Sequence, residues 1–246
     1  MDETDIQVES ESFYRQKAEQ AITNFQRKRL HAEYVPDRQA ALSRILELIP
    51  PNASIGKGDS VTLNQIGIMT ALKKSGGHQI FDPQDRGEEG TRMSRGEDRL
   101  EIQRHALLAD VFLSGANAIT IDGKVVCTDG NGNRVAALIF GPKKVIIVAG
   151  VNKIVTNLDE AFKRIHEVAC PINARRHVVK HHAPELYLEK PCVKLGKCTD
   201  CTHVARECIY TVLIEAAKSP EISGQMYSQE HLSRVNIIIV GEILGT

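Results

Sequence analysis

Apolar positions along this chain recur with two alternating spacings. Tyr14, Ala18, Ala21, Ile22 and Phe25 fall at three- and four-residue steps, which places them on one face of an α-helix. "LHAEYV" (30–35) follows as a strand. Asp37 then stands after Pro36 and ahead of Ala41, Leu42, Ile45, Leu46 and Ile49, the position of an N-cap for a second helix that Pro50-Pro51 stops. The grammar repeats in "ASIGKGDSVTLNQIGIMTALKK" (53–74) as strand, glycine loop and helix. "HQIF" (78–81) is another strand, residues 82–96 read as a polar loop, and a helix from about Glu97 leads into the strand of "ADVFLSG" (109–115). "ANAITIDGKVVCTDG" (116–130) has two short strands around Asp122-Gly123, a dipeptide suited to positive φ. A Gly-Asn-Gly-Asn loop (130–133), a helix through Phe140, the strand "KKVIIVAG" (143–150) and a helix from Asn157 to about Ala169 complete the series. "VNIIIV" (235–240) is an unbroken apolar run of the kind found in strands buried on both faces.

Strands separated by helices imply an α/β fold: a mainly parallel sheet with helices on both faces. Residues 1–11 are polar and acidic and read as a disordered lead-in to one α/β domain over 12–246. The alternation breaks from Cys170 to about Tyr210, where histidines, prolines and cysteines replace sheet-like patterning, so a small Cys-rich lobe is expected there. A chain of 246 residues with 42% hydrophobic content can bury a substantial core. Its 31 basic and 31 acidic residues cancel, which removes the electrostatic case for nucleic acid or an anionic membrane as partner. No apolar run approaches the roughly 20 residues of a membrane span. The acidic start lacks the basic and apolar regions of a secretory signal, so a cytoplasmic protein is expected. In a reducing compartment, clustered thiols are metal ligands or reactive groups more often than disulfides.

Two glycine loops are candidates for a ligand site beyond the carboxyl ends of the strands. In "IGKGDSVT", Gly56 and Gly58 allow close backbone approach, and Ser60 and Thr62 add hydroxyls at the start of a helix. In "DGNGNRV", Gly130, Asn131, Gly132 and Asn133 can reach left-handed conformations that turn successive N–H groups toward one anion, and Arg134 adds a charge. Together they suggest a pocket for a phosphate, carboxylate or similar small anion; the plainer reading is a pair of tight turns. Neither loop matches the dinucleotide or P-loop patterns. Asp122 is a candidate catalytic acid or base, although turn chemistry alone explains an Asp before Gly. Lys153, after the buried strand, either pairs with an anionic ligand or is solvated.

Cys192, Cys198, Cys201 and Cys208 follow C-x5-C-x2-C-x6-C in "PCVKLGKCTDCTHVARECIY". The x2 pair can place two thiolates on one metal while the longer loops return the outer two, giving the sulfur set of zinc or of an iron–sulfur cluster. Lys194, Lys197 and Arg206 either offset a cluster's charge or are surface residues. Cys170 lies apart and reads as a buried small residue. His177 and His181 would share a helix face, where they are either a divalent-ion pair or ordinary polar surface; His203 is a possible substitute for one cysteine.

The segment "ADVFLSGANAITIDGKVVCTDGNGNRVAALIFGPKKVIIVAGVNKIV", together with "SIGKGDSVTLNQIGI", "PCVKLGKCTDC" and "VNIIIVGEILG", closely resembles the lactate-utilisation (LUD) domain family of LutC/YkgG-like proteins. The resemblance implies a role in iron–sulfur-dependent oxidation of L-lactate to pyruvate, as an accessory or electron-transfer component beside iron–sulfur oxidoreductase subunits. It tilts the metal toward a [4Fe-4S] cluster over zinc. It also implies a fold similar to the sugar-phosphate isomerase and CoA-transferase superfamily. "GANAITIDGKVVCTDGNG" is more distantly similar to methylthioribose-phosphate isomerases, but Asn117 stands where those carry an acidic catalytic residue and Cys127-Thr128 replaces an Asn-Lys pair, so isomerase chemistry is not transferred. Asn117 is retained as a ligand-binding candidate. Within the resembled family, Cys127 stands where Asn is expected and Asp59 where glycine is usual, and both can retune a pocket. An isomerase or CoA-transferase-like enzyme, and a non-catalytic ligand-binding module with structural zinc, are the alternative readings.

Overall fold

The computed structural model describes residues 6–85, 96–180, 184–219 and 234–246. In chain order its elements begin with α1 (Gln7–Arg27), β1 (His31–Val35), α2 (Arg38–Leu48), β2 (Ser54–Lys57), α3 (Val61–Ile66), α4 (Ile68–Ser75) and β3 (Gln79–Phe81). Next come α5 (Gly96–Ala106), β4 (Val111–Gly115), β5 (Ala118–Thr120), β6 (Lys124–Asp129), α6 (Asn133–Ile139), β7 (Lys144–Gly150) and the two-residue β8 (Ile154–Val155). The chain continues through α7 (Leu158–Arg164), α8 (Cys170–Lys180), α9 (Pro184–Leu188), α10 (Pro191–Leu195), β9 (Tyr210–Ile214) and β10 (Val235–Val240).

Six strands form an all-parallel sheet in the order β1-β10-β7-β4-β2-β3. Its centre explains the unbroken apolar runs. Val145, Ile147 and Ala149 of β7 join Ile237 and Ile239 of β10 in a core with α1, α5 and α6. Ile146 and Val148 join Ile238 and Val240 in a core on the opposite face with α2, α3 and α4. A strand with period-two geometry and both faces covered is apolar along its covered length; the buried Asn236 near the start of β10 satisfies its amide on Arg234 O at 3.2 Å.

A second sheet, β8-β5-β6-β9, is mixed: β5 and β9 run antiparallel to β6, and β8 runs parallel to β5. Ile119, Val125 and Cys127 face the main sheet's first core. Ala118 and Val126 face outward, where Ala161 and Ile165 cover them. The β5–β6 turn lies against α1; a Cβ at Gly123 (φ +78°) would come within 2.8 Å of the Asn24 and Phe25 backbone, so glycine is required by both conformation and space.

Several boundaries differ from the sequence reading. α1 begins within the stretch read as disordered, because Gln7–Glu11 (2.9 Å) and Arg15–Glu19 (3.0 Å) pairs support polar turns that no apolar spacing reveals; residues 1–5 lie outside the described residues. The helix expected after β2 is two helices, broken at Gly67 in the left-handed region (φ +79°). The helix from Asn157 does not end near Ala169: a π-helical turn over Ile165–Ala169 carries it into α8, so the start of the supposed lobe is a continuation of the α/β body. β9 was not foreseen. Of the loop expected at 82–96, residues 86–95 lie outside the described residues. Asp37 caps α2 as expected, accepting from Ala40 N at 2.8 Å.

Ile147 is fully buried at the centre of the main sheet. Ile147→Ala is therefore expected to lower unfolding stability by about 2–5 kcal/mol. Urea titration would read this as a lower midpoint at unchanged slope.

Candidate functional site

A cavity of about 350 Å³ opens beyond the carboxyl ends of β2, β4 and β7, the position at which parallel sheets usually hold ligands. The two glycine loops meet there. A Cβ at Gly58 would lie 3.0 Å from the Arg134 side chain, so the loop after β2 touches the loop after β6. Ser60, Gly130, Asn131, Asn133 and Arg134 all line the cavity. Asn117 joins them, its Oδ1 accepting from Thr128 N (2.8 Å) and from Arg134 Nη2 (3.1 Å). Lys153 completes this wall from the turn after β7.

Other expected residues serve the scaffold. Gly56 packs under α5, where a Cβ would come within 2.8 Å of Ala106 O and the Phe112 ring. Thr62 is buried and receives a hydrogen bond from Lys153. Gly132 takes φ +83° at the start of α6, against the Tyr210 ring. Cys127 lies in the core, where burial pushes its thiol up. Asp122 is not among the cavity's lining residues, which corrects its expected nearness to the pocket: the β5–β6 turn points back to α1. There Lys28 donates to its carbonyl (2.6 Å) and Lys124 pairs with its carboxylate (2.6 Å).

Part of the amide set of the glycine loops is taken up internally: the Asp129 carboxylate accepts from Gly130 N (2.8 Å) and Arg134 N (2.9 Å), and Ser60 Oγ accepts from Leu63 N (3.3 Å). The side-chain cations Arg134 and Lys153 face the same space.

Lys153 is the most consequential of these. It is 3% exposed, and burial lowers its amine from 10.5 to about 7, with Arg164 and Arg134 pushing the same way. Its hydrogen bond goes to Thr62 Oγ1 at 2.9 Å. Arg164 fixes the surrounding turns through Asn117 O (2.6 Å) and Asn152 O (3.1 Å).

The opposite wall is neutralised internally. Asp59 accepts from Arg176 (2.7 Å) and pairs with Lys180, while His177 lies between Asp59 (3.8 Å) and Glu207. Burial pushes the Asp59 carboxyl up, but the His177 hydrogen bond and the charges of Lys180 and Arg176 outweigh it and hold the group well below the ordinary value. Glu207 also pairs with the buried Lys190 (2.7 Å). His177 is thus a buried connector between β2's loop and the cysteine segment, rather than polar surface; His181 and His182 lie outside the described residues.

Cys192, Cys201 and Cys208 line the same cavity, and so does Cys170. Cys208 and Cys170 act on one another most strongly: with the help of Arg206 the Cys208 thiol is lowered against the effect of burial, and Cys170 is raised. Burial chiefly raises Cys192 and Cys198, and the neighbouring thiols of Cys201 and Cys208 push both the same way. The thiol group therefore has five members, one more than sequence spacing revealed, because the π-turn and α8 deliver Cys170 from a distant segment. Cys198 does not line the cavity and accepts from Asp200 N (3.4 Å). Arg206 holds the segment by donating to Cys201 O (2.8 Å) and Cys208 O (3.0 Å), while Lys194 pairs with Glu189. His203 Nδ1 accepts from Ala205 N (3.1 Å). Among the described residues, no three Cys, His, Asp or Glu side chains already stand as a finished metal-binding group.

This α/β scaffold carries a cation-lined cavity bordered by clustered thiols, and residues 18–222 match the LUD domain. The chain belongs to the LUD domain family, which is consistent with a role in lactate-related metabolism. It is similar to the crystal structure of a DUF162-family protein from Deinococcus radiodurans, at 12% identity and a TM-score of 0.46, over 94% of this chain and 98% of that one. No curated protein matches the chain. No helix among the described residues is long and apolar enough to cross a membrane.

The buried amine predicts a pH signature. A lysine whose folded pKa lies below its unfolded value burdens the fold most where both states are charged. Lys153→Met is therefore expected to be more stable than the native chain. The gap should be widest below about pH 7 and close as pH rises toward 10.5. Thermal denaturation of both proteins across this range checks it; a gap independent of pH would contradict the assignment.

Proposed function

We propose that this protein takes part in L-lactate oxidation to pyruvate, as an accessory or electron-transfer component that works with iron–sulfur oxidoreductase subunits in the cytoplasm. The observation that supports this most is the shared cavity: cations suited to a small hydroxy or oxo acid and a group of thiols open on the same space. Membership of the LUD domain family supplies the lactate context.

The donor set fits a sulfur-ligated metal. Cys192, Cys198, Cys201 and Cys208 would hold it, with Cys170 as a fifth thiol in reach, and thiolates suit both zinc and iron–sulfur clusters. A cluster, when bound, would supply one-electron transfer; zinc closed by four thiolates would supply structure. The chain's own residues contribute the rest: Arg206 pins the thiol segment, and Glu207 and His177 tie it to Asp59 in the ligand loop. The rival isomerase or CoA-transferase reading needs a free carboxylate at the ligand. Asp122 is outside the cavity, and Asp59, Asp129 and Glu207 are each committed to internal partners.

Anaerobic purification followed by iron, sulfide and zinc analysis tests the metal. Iron with sulfide and visible absorption, lost in Cys208→Ser, is the expected outcome; zinc without iron would favour the structural module instead. Deleting the gene should abolish growth on L-lactate while leaving growth on pyruvate intact. Unimpaired lactate growth in a strain with no second copy would remove the pathway assignment.

A further inference from the structure

Buried lysines elsewhere in this protein have carboxylate partners. Lys57 pairs with Asp82 at 3.2 Å and Lys190 with Glu207 at 2.7 Å. Lys153 is as deeply buried, yet its Nζ hydrogen-bonds the Thr62 hydroxyl at 2.9 Å and packs against the Gly245 backbone, and the charges that act on it most are the guanidinium groups of Arg164 and Arg134. No carboxylate pairs with it among the described residues. Withdrawal from water next to like charges favours an uncharged amine. An uncharged lysine differs in kind from the neighbouring arginines, because it has a lone pair that can attack carbon.

We propose that Lys153 is a carbonyl-reactive amine, which forms a reversible Schiff base with a small 2-oxo acid whose carboxylate is held by Arg134. The elements of this assignment lie on one wall: Lys153 and Arg134 both line the cavity, and Asn117 holds Arg134 at 3.1 Å. Thr62 Oγ1 accepts an N–H from Lys153 at 2.9 Å, so in the neutral amine the lone pair is not taken up by this bond. In the condensation Nζ attacks the carbonyl carbon and a C–N bond forms. Both amine protons leave with the carbonyl oxygen as water, and the imine takes one proton from solvent. No oxidant or reductant is consumed. The bound carboxylate pairs with the Arg134 guanidinium, which has no ion pair among the described residues, so oxo acids are preferred over neutral ketones.

The 2-oxo acid class rests on the lactate reading, whereas the reactivity of the amine does not. The test uses the full chain with pyruvate and cyanoborohydride, followed by intact mass measurement and peptide mapping. A single adduct on Lys153 is expected, forming faster above about pH 7 than below it. Acetone, which has the carbonyl without the carboxylate, should be trapped roughly tenfold more slowly, equivalent to about 1.4 kcal/mol of charge pairing. Lys153→Arg and Lys153→Met both lack a nucleophilic amine and should give no adduct at this position. Adducts scattered over surface lysines with none on Lys153 would overturn the proposal, and equal trapping of acetone would overturn the substrate class. A chain that traps pyruvate at Lys153 but carries no iron retains this inference and loses the electron-transfer reading; one that carries iron without trapping does the reverse.

Discussion

Covering both faces of the central strands is the constraint on which the rest of this molecule depends. Because β7 and β10 are enclosed by helices on either side, their central side chains (145–149 and 237–240) are apolar, and polar chemistry is displaced to where the strands begin and end. The turns leaving β2, β4 and β7 emerge side by side at one edge of the sheet. Residues more than ninety positions apart in sequence thereby become neighbours: Thr62 and Lys153 are separated by 91 positions and joined by one hydrogen bond.

The two walls of the resulting space are electrically unlike. On the side of α8, the carboxylates of Asp59 and Glu207 are paired in a connected chain that runs from Lys180 and Arg176 through Asp59, His177 and Glu207 to Lys190. Such a network fixes geometry, since each carboxylate has cationic neighbours. On the side of β7, Lys153, Arg134 and Arg164 make no ion pair among the described residues, although Asp129 borders the same space. A small acid would be drawn to the second wall, with the first acting as rigid backing that also touches the thiols.

Much of the scaffold was legible in the sequence, and the reasons are local. The Asp37 cap, the Asp122-Gly123 turn and the buried runs of β7 and β10 depend on neighbours a few residues away, so spacing exposes them. The parallel topology accounts for the first glycine loop, after β2; the second follows β6 of the mixed sheet and reaches the same cavity because that sheet packs on the main one. What escaped depends on distant contacts. Asp122 is turned away by packing against α1, which spacing around the turn does not reveal. Cys170 carried no motif spacing, and His177 resembled an exposed helix residue until Asp59 and Glu207 were placed on either side. β9 was obscured because it alternates weakly and pairs only at the edge of the second sheet.

The π-helical turn at Ile165–Ala169 also sets the angular phase of everything after it. A regular α-helix advances about 100° per residue, so one residue accommodated in a wider loop of backbone rotates the following turns by about that angle. Asn173, Arg176, His177 and Lys180 are consequently presented inward as one polar stripe, in step with Cys170. Shortening the chain there by a single residue would restore even winding and swing the stripe toward solvent, disconnecting sulfur and carboxylate partners together while leaving every side chain in place.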